Sequence, residues 1–112
     1  MLSKMRIERS AMKKLNRKTL VLRGTKKRVG DIKSIFQTME YSFQFLHTSL
    51  ISTNNCITFL YSWGHIIIYT FPLEKIITID FLYPSWNTKI DAMIKDIVSI
   101  FEPEHYTLKD VT

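Results

Sequence analysis

The 112-residue sequence has one cysteine, Cys56, and no long hydrophobic run. A single thiol cannot form a disulfide within the chain, and it fits a reducing cytoplasm. The longest apolar run, around residues 66–68, has the length of a strand and falls far short of the roughly 18 residues that span a membrane. Residues 1–18 also lack the apolar core of a signal peptide. We therefore expect a cytoplasmic protein that does not cross a membrane.

Recognisable metal and nucleic-acid motifs are also missing. His47 and His105 stand alone, and no grouping of His, Cys and Asp has the spacing of a metal site. No aromatic ribonucleoprotein strand or comparable motif is present, which makes nucleic acid an unlikely partner. We expect no metal and no cofactor.

What the sequence does contain is a strong charge asymmetry. Residues 1–28 hold eleven Lys and Arg and one acid, a net +10, so residues 29–112 sum to −4 within the total of +6. With 46% apolar residues the chain suits one globular domain. We predict a basic arm over residues 1–18 and one domain over 19–112. The arm either meets a phosphate-bearing partner or is a solvated leader.

Periodicity predicts eight elements. Apolar residues recur at helical spacing from Ile32 to about Tyr41, after a possible N-cap at Asp31, and again over residues 89–101. Predicted strands cover residues 19–23, 42–53, 56–62, 65–70, 75–82 and 106–111. Tight turns join successive strands, so those strands must pair antiparallel. The order β-α-β-β-β-β-α-β predicts an α+β two-layer sandwich, a mainly antiparallel sheet with two helices on one face.

Residues 63–75 resemble the core of the prokaryotic S-adenosylmethionine decarboxylases. That family has an acidic residue, Ser, His, a short apolar strand, His-Thr-Trp-Pro-Glu, a strand with Asp, and then Cys. This chain has His65, Thr70, Pro72 and Asp80 in those places, and Phe71 instead of the Trp. The resemblance implies the decarboxylase fold from about residue 19 to residue 112.

The residues that carry the family's chemistry are replaced. Gly64 occupies the position of the serine that becomes the pyruvoyl group, and Trp63 that of the preceding acid. Tyr69, Leu73 and Pro84 stand where the family has its second His, its Glu and its catalytic Cys. The resemblance therefore implies the scaffold without the pyruvoyl decarboxylation.

A second resemblance concerns phage enzymes that destroy S-adenosylmethionine. They have a Tyr on one strand, a Pro-containing turn, Glu-Lys, an alternating strand, a helix and a final strand. Tyr61, Pro72, Glu74 and Lys75 follow that order. In that group the carboxylate of the substrate attacks its own γ-carbon, releasing methylthioadenosine and homoserine lactone. Related lyases destroy S-adenosylmethionine–AMP (SAM-AMP), a signal in some CRISPR antiviral systems.

This second resemblance makes Glu74 and Tyr61 the candidate catalytic residues. Tyr69, His65, Phe71 and Asp80 are candidate substrate-binding residues. The basic run Lys26-Lys27-Arg28, before the first helix, is a candidate phosphate site. Because free S-adenosylmethionine is positively charged, these cations favour a conjugate that bears phosphate.

Three functions remain open from the sequence. The first is a cofactor-independent lyase acting on S-adenosylmethionine or SAM-AMP. The second is a catalytically inactive decarboxylase homologue that binds a nucleoside or a partner subunit, and the third is a nucleic-acid-binding module. We also expect a homo-oligomer, because the sheet face without helices needs cover; the decarboxylases imply a dimer and the phage enzymes a trimer.

Overall fold

A six-stranded antiparallel sheet carries two helices in the computed structural model, which describes residues 15–27 and 29–111. In chain order the elements are β1 (Leu15–Arg23), a short 3-10 turn (Val29–Asp31), α1 (Ile32–Phe43), β2 (Ser49–Ser52), β3 (Cys56–Tyr61), β4 (Gly64–Phe71), β5 (Ile76–Pro84), α2 (Lys89–Phe101) and β6 (His105–Asp110). The predicted fold class and the predicted order of strands and helices are confirmed.

The strands lie in the order β2-β3-β4-β5-β1-β6, and every neighbouring pair is antiparallel. Strands β2 to β5 form a meander, because only short turns join them. Strand β1 lies between β5 and β6, with Arg23 opposite both Ile76 and His105. The first and last strands of the chain therefore complete one side of the sheet.

The core lies between the sheet and the helices. Alternate residues of the inner strands are buried on this side, such as Phe59 of β3 and Ile68 of β4. Both helices are amphipathic and turn their apolar stripes toward the sheet. Phe36 of α1 packs against Phe59 at 6.1 Å and against Phe101 of α2 at 6.3 Å between ring centroids. The other face of the sheet carries neither helix, and we call it the open face.

The predicted strand over residues 42–53 is wrong in its first part. Helix α1 continues to Phe43 and ends at Gln44, whose φ of 59° is left-handed. The N–H groups of Gln44 and Phe45 donate to the carbonyls of Tyr41 and Glu40, as at a regular helix end. The alternating aromatics that suggested a strand belong to this helix end and the loop after it.

The start of β1 and the N-cap of α1 also differ from the predictions. Strand β1 starts at Leu15, four residues before the predicted start at Thr19. Asp31 holds the N-cap position of α1, but its side chain makes no capping hydrogen bond. Residues 1–14, most of the predicted basic arm, lie outside the described residues. Within residues 15–27 and 29–111, no helix is long and apolar enough to cross a membrane.

Candidate functional site

Four predicted substrate-binding residues share the open face. Strand residues two apart point the same way, so His65, Tyr69 and Phe71 of β4 lie on one face. The pairing of β4 with β5 puts Asp80 opposite Ile67, on that same face. Tyr69 and Phe71 are 41% and 47% exposed. The open face therefore offers an aromatic pair near one end of β4 and a carboxylate nearer the other.

Asp80 is a paired carboxylate with little exposure. Arg17 donates to it twice, from Nε to Oδ1 at 3.3 Å and from an Nη to Oδ2 at 3.1 Å. His65 Nε2 lies 3.4 Å from Oδ2. The hydrogen bond and charge of Asp80 raise the pKa of Arg17 above its usual range. Since its oxygens already have these partners, Asp80 is better suited to hold Arg17 and His65 in place than to bind a ligand ammonium.

Glu74 lies in the exposed turn between β4 and β5, and two other residues of this turn, Pro72 and Lys75, line a basic cleft. Among the described residues, no hydrogen bond or ion pair engages its carboxylate. The cleft has a volume of about 620 Å³ and lies between this turn and the loop that follows β1; it is lined by Gly24, Thr25, Lys26, Lys27, Pro72, Lys75, Ile77 and Glu104. The structure thus brings Lys26 and Lys27 to the turn that carries Glu74.

Backbone hydrogen bonds hold the walls of this cleft together. The Gly24 N–H donates to the Lys75 carbonyl at 2.8 Å, and the Glu104 N–H donates to the Arg23 carbonyl at 2.9 Å. Gly24 has a φ of 68°, and a Cβ there would lie 2.8 Å from the carboxyl group of Glu104. Only glycine fits such a position without strain. Backbone hydrogen bonds and the left-handed Gly24 therefore fix the shape of the basic cleft at the junction of β1, the β4–β5 turn and β6.

Tyr61 is far from Glu74 within one chain. Tyr61 pairs with Gly64 at the start of β4, whereas Glu74 follows the end of β4. Eight strand residues span about 25 Å. Tyr61 also faces the core, whereas Tyr69 lies on the open face. The structure does not bring the two predicted catalytic residues together, because β4 separates them.

Tyr61 instead belongs to a buried polar cluster that sequence reasoning missed. Glu40, near the end of α1, is 5% exposed, and its two oxygens lie 2.9 and 3.0 Å from His47 Nδ1. Burial raises the pKa of Tyr61 far above its usual range, and a hydrogen bond to Glu40 adds to the effect. The Trp63 ring stacks on Tyr61, with centroids 4.5 Å apart and planes 6° apart. His47, predicted to be isolated, is paired.

Gly64 has no room for a side chain. A Cβ built there would overlap the carbonyl oxygen of Leu82 on β5 and lie 2.9 Å from its carbonyl carbon. The obstacle is backbone inside the sheet, so it cannot move aside as a flexible side chain would. The position that resembles the family's serine is closed to any residue larger than glycine.

Two further predictions concern Arg28 and metal binding. Arg28 lies outside the described residues, so the predicted basic run is seen only at Lys26 and Lys27. Over residues 15–27 and 29–111, no group of three or more His, Cys, Asp and Glu side chains is arranged to hold a metal ion.

Comparison with known proteins gives a structural similarity without a sequence match. No protein-family model matches the chain, and no curated protein sequence is significantly similar to it. A crystal structure of the adenosylmethionine decarboxylase from Aquifex aeolicus VF5 superposes with a TM-score of 0.71 at 17% identity, over 86% of this chain and 87% of that one. The chain thus has an adenosylmethionine decarboxylase-like fold.

Proposed function

We propose that this protein is a cofactor-independent lyase that cleaves a phosphate-bearing conjugate of S-adenosylmethionine, such as SAM-AMP. Its products are the corresponding methylthioadenosine nucleotide and homoserine lactone. The observation that carries the proposal is the basic cleft lined in part by Pro72 and Lys75, residues of the turn that also carries Glu74, on a decarboxylase-like fold in which Gly64 has no room for a side chain. The fold supports a relation to S-adenosylmethionine, and the lysines of the cleft support a substrate that bears phosphate.

The charges of the cleft favour a phosphate. Lys26, Lys27 and Lys75 line it, and Glu104 is the one acid among the lining residues that the structure describes. Free S-adenosylmethionine has a sulfonium and an ammonium against one carboxylate, so this surface repels it. A phosphodiester or phosphate on the nucleoside gives the lysines an anion to bind. Lys26 is held only weakly by Glu102, with 4.0 Å between Nζ and Oε2, so it is available to a ligand.

The chemistry requires no protein nucleophile. An oxygen of the substrate carboxylate forms a bond to the γ-carbon, the γ-carbon–sulfur bond breaks, and its electron pair neutralises the sulfonium. The protein needs to hold the substrate folded, so that the carboxylate lies in line with the departing sulfur. In this proposal Glu74 binds the substrate ammonium. That contact keeps the ammonium from pairing with the attacking carboxylate.

The aromatic pair on the open face gives the nucleoside a surface for stacking. Phe71 precedes Pro72 of the cleft, and Tyr69 lies two residues before it on the same face. Tyr61 has no role in the reaction of its own chain, since it is buried at the far end of β4. A homo-oligomer, a dimer or a trimer, remains part of the proposal because it would cover the open face and complete the site.

The test is turnover of S-adenosylmethionine and of its adenylated conjugate, followed by liquid chromatography of the released methylthioadenosine or its nucleotide. Wild type should release the nucleotide from the conjugate faster than methylthioadenosine from the free compound. Glu74→Gln should slow release by about 10²–10³-fold, the usual loss for one well-placed electrostatic contact. Asp96→Asn, which removes an exposed acid from α2, is the matched control and should not change the rate.

Two results would count against the proposal. If wild type consumes neither compound, the lyase proposal fails and the inactive, nucleoside-binding homologue replaces it. If Glu74→Gln and Asp96→Asn are equally active, the reaction stands but Glu74 is not part of the site.

Lys26→Ala combined with Lys27→Ala should raise the KM for the conjugate, and this effect should shrink as salt rises.

A further inference from the structure

The buried cluster of Glu40, His47 and Tyr61 takes no part in the proposed reaction. The side chain of Glu40 is 7% exposed, and both of its oxygens contact His47 Nδ1. After burial, the Glu40 carboxylate also contributes to raising the pKa of Tyr61. A buried carboxylate is costly unless it is paired, and these contacts pair it. Their second effect is to fix the imidazole.

His47 presents one ring nitrogen in a fixed direction. Since the Glu40 carboxylate accepts hydrogen bonds, we assign the donating N–H to Nδ1, which leaves Nε2 to contact a ligand. The ring also packs edge-on to Phe59, with centroids 5.7 Å apart. The His47 side chain is 32% exposed. The His47 imidazole is therefore held in one orientation and reaches the surface, where it can hydrogen-bond a ligand as well as pack against the core.

A second cleft lies against this imidazole. It has a volume of about 700 Å³, within the usual range of small-molecule sites. Besides Phe45, it is lined by Gln37, Glu40, Tyr41, Gln44, Leu46 and His47. Tyr41 and Leu46 are 90% and 88% exposed, so large apolar surfaces stand open beside two amide side chains. Among the described residues that line this second cleft there is no Lys or Arg, in contrast with the basic cleft.

We propose that this second cleft binds an uncharged planar heterocycle, of the class of a nucleobase in a nucleoside without phosphate. Tyr41 stacks on the flat face of the ring, as aromatic side chains do on bases. His47 Nε2 and the amides of Gln37 and Gln44 hydrogen-bond its polar edge. Because no lysine or arginine is among the described lining residues, an uncharged ligand fits this cleft better than a phosphate. This site is independent of the lyase reaction and lies at the opposite end of β4 from the basic cleft.

The test is titration of the full-length protein with adenosine, guanosine, cytidine and uridine, followed by NMR of the side-chain amides and imidazoles. At least one nucleoside should shift the signals of Gln37, Gln44 and His47 in a saturable way. If none of the four shifts these signals at millimolar concentration, the proposal is overturned. The activity on S-adenosylmethionine conjugates is measured separately, so failure here does not depend on failure of the lyase.

Variants with little risk to the fold locate the binding. Tyr41→Ala removes an exposed ring and should weaken binding about 5-fold or more, the usual effect of losing a stacked aromatic. Gln44→Gly removes the amide while keeping the left-handed helix end, where glycine is favoured. Tyr106→Ala, an exposed tyrosine on β6, is the control and should bind as wild type does. Equal affinity in Tyr41→Ala, Gln44→Gly and wild type would refute the site.

Discussion

Replacing Gly64 with serine should destabilise the protein and should not restore self-processing. The new Cβ would overlap the Leu82 carbonyl oxygen, inside a six-stranded sheet. Overpacking against side chains costs about 1–3 kcal/mol, and a clash with sheet backbone belongs at or above the top of that range. A loss of about 3 kcal/mol lowers Tm by at least about 10 °C in a domain of this size.

Gly30 offers a matched control for this experiment. It lies in the 3-10 turn before α1, and a Cβ built there meets nothing within 4 Å. Gly30→Ser should therefore have a Tm within a few degrees of the wild-type value, whereas the Tm of Gly64→Ser should be lower by about 10 °C or more. The assays are thermal unfolding by circular dichroism and intact mass. A Gly64→Ser protein as stable as Gly30→Ser, or one cleaved before residue 64, would refute the claim that this position is closed.

Three further predictions concern the core, a buried phenol and assembly. Phe59→Ala should lower the free energy of unfolding in denaturant by about 3–5 kcal/mol, whereas Leu73→Ala, 95% exposed, should change it little. Burial and the hydrogen bond to Glu40 raise the pKa of Tyr61 in the folded state above its value in the unfolded chain. The contribution of Tyr61 to the free energy of unfolding is therefore complete below about pH 10 and declines above it. The stability difference between wild type and Tyr61→Phe should therefore stay level from pH 7 to 9 and shrink above pH 10 by up to about 1.4 kcal/mol per pH unit; a level difference up to pH 11 would contradict this. Light scattering should give a mass above the 13.3 kDa monomer, and a monomer alone at micromolar concentration would contradict an oligomer.

Much of the fold could be predicted because its signals are local. The apolar residues of α2 recur at helical spacing, and the observed helix over residues 89–101 matches its predicted bounds. Asn54 and Asn55 mark the turn between β2 and β3, where the Thr53 N–H donates to the Cys56 carbonyl. Once the strands of residues 56–82 are joined by turns, antiparallel pairing follows from geometry alone.

The polar contacts could not be predicted, because they join residues that no local pattern relates. Arg17 and Asp80 are 63 positions apart and meet only because β1 pairs with β5. The contact between Glu40 and His47 depends on a left-handed turn at Gln44, a residue type that does not mark such turns as glycine does. The separation of Tyr61 and Glu74, in contrast, could have been predicted, because a strand over residues 65–70 was predicted between them.

Product analysis of one competition reaction tests the central claim most directly. Purified wild-type protein is given equal amounts of S-adenosylmethionine and its adenylated conjugate, and mass spectrometry follows both substrates and all products. The proposed function predicts that the conjugate is consumed first, yielding the methylthioadenosine nucleotide and homoserine lactone in equal amounts. Recovery of both compounds unchanged, or release of carbon dioxide with the decarboxylated product, would contradict it.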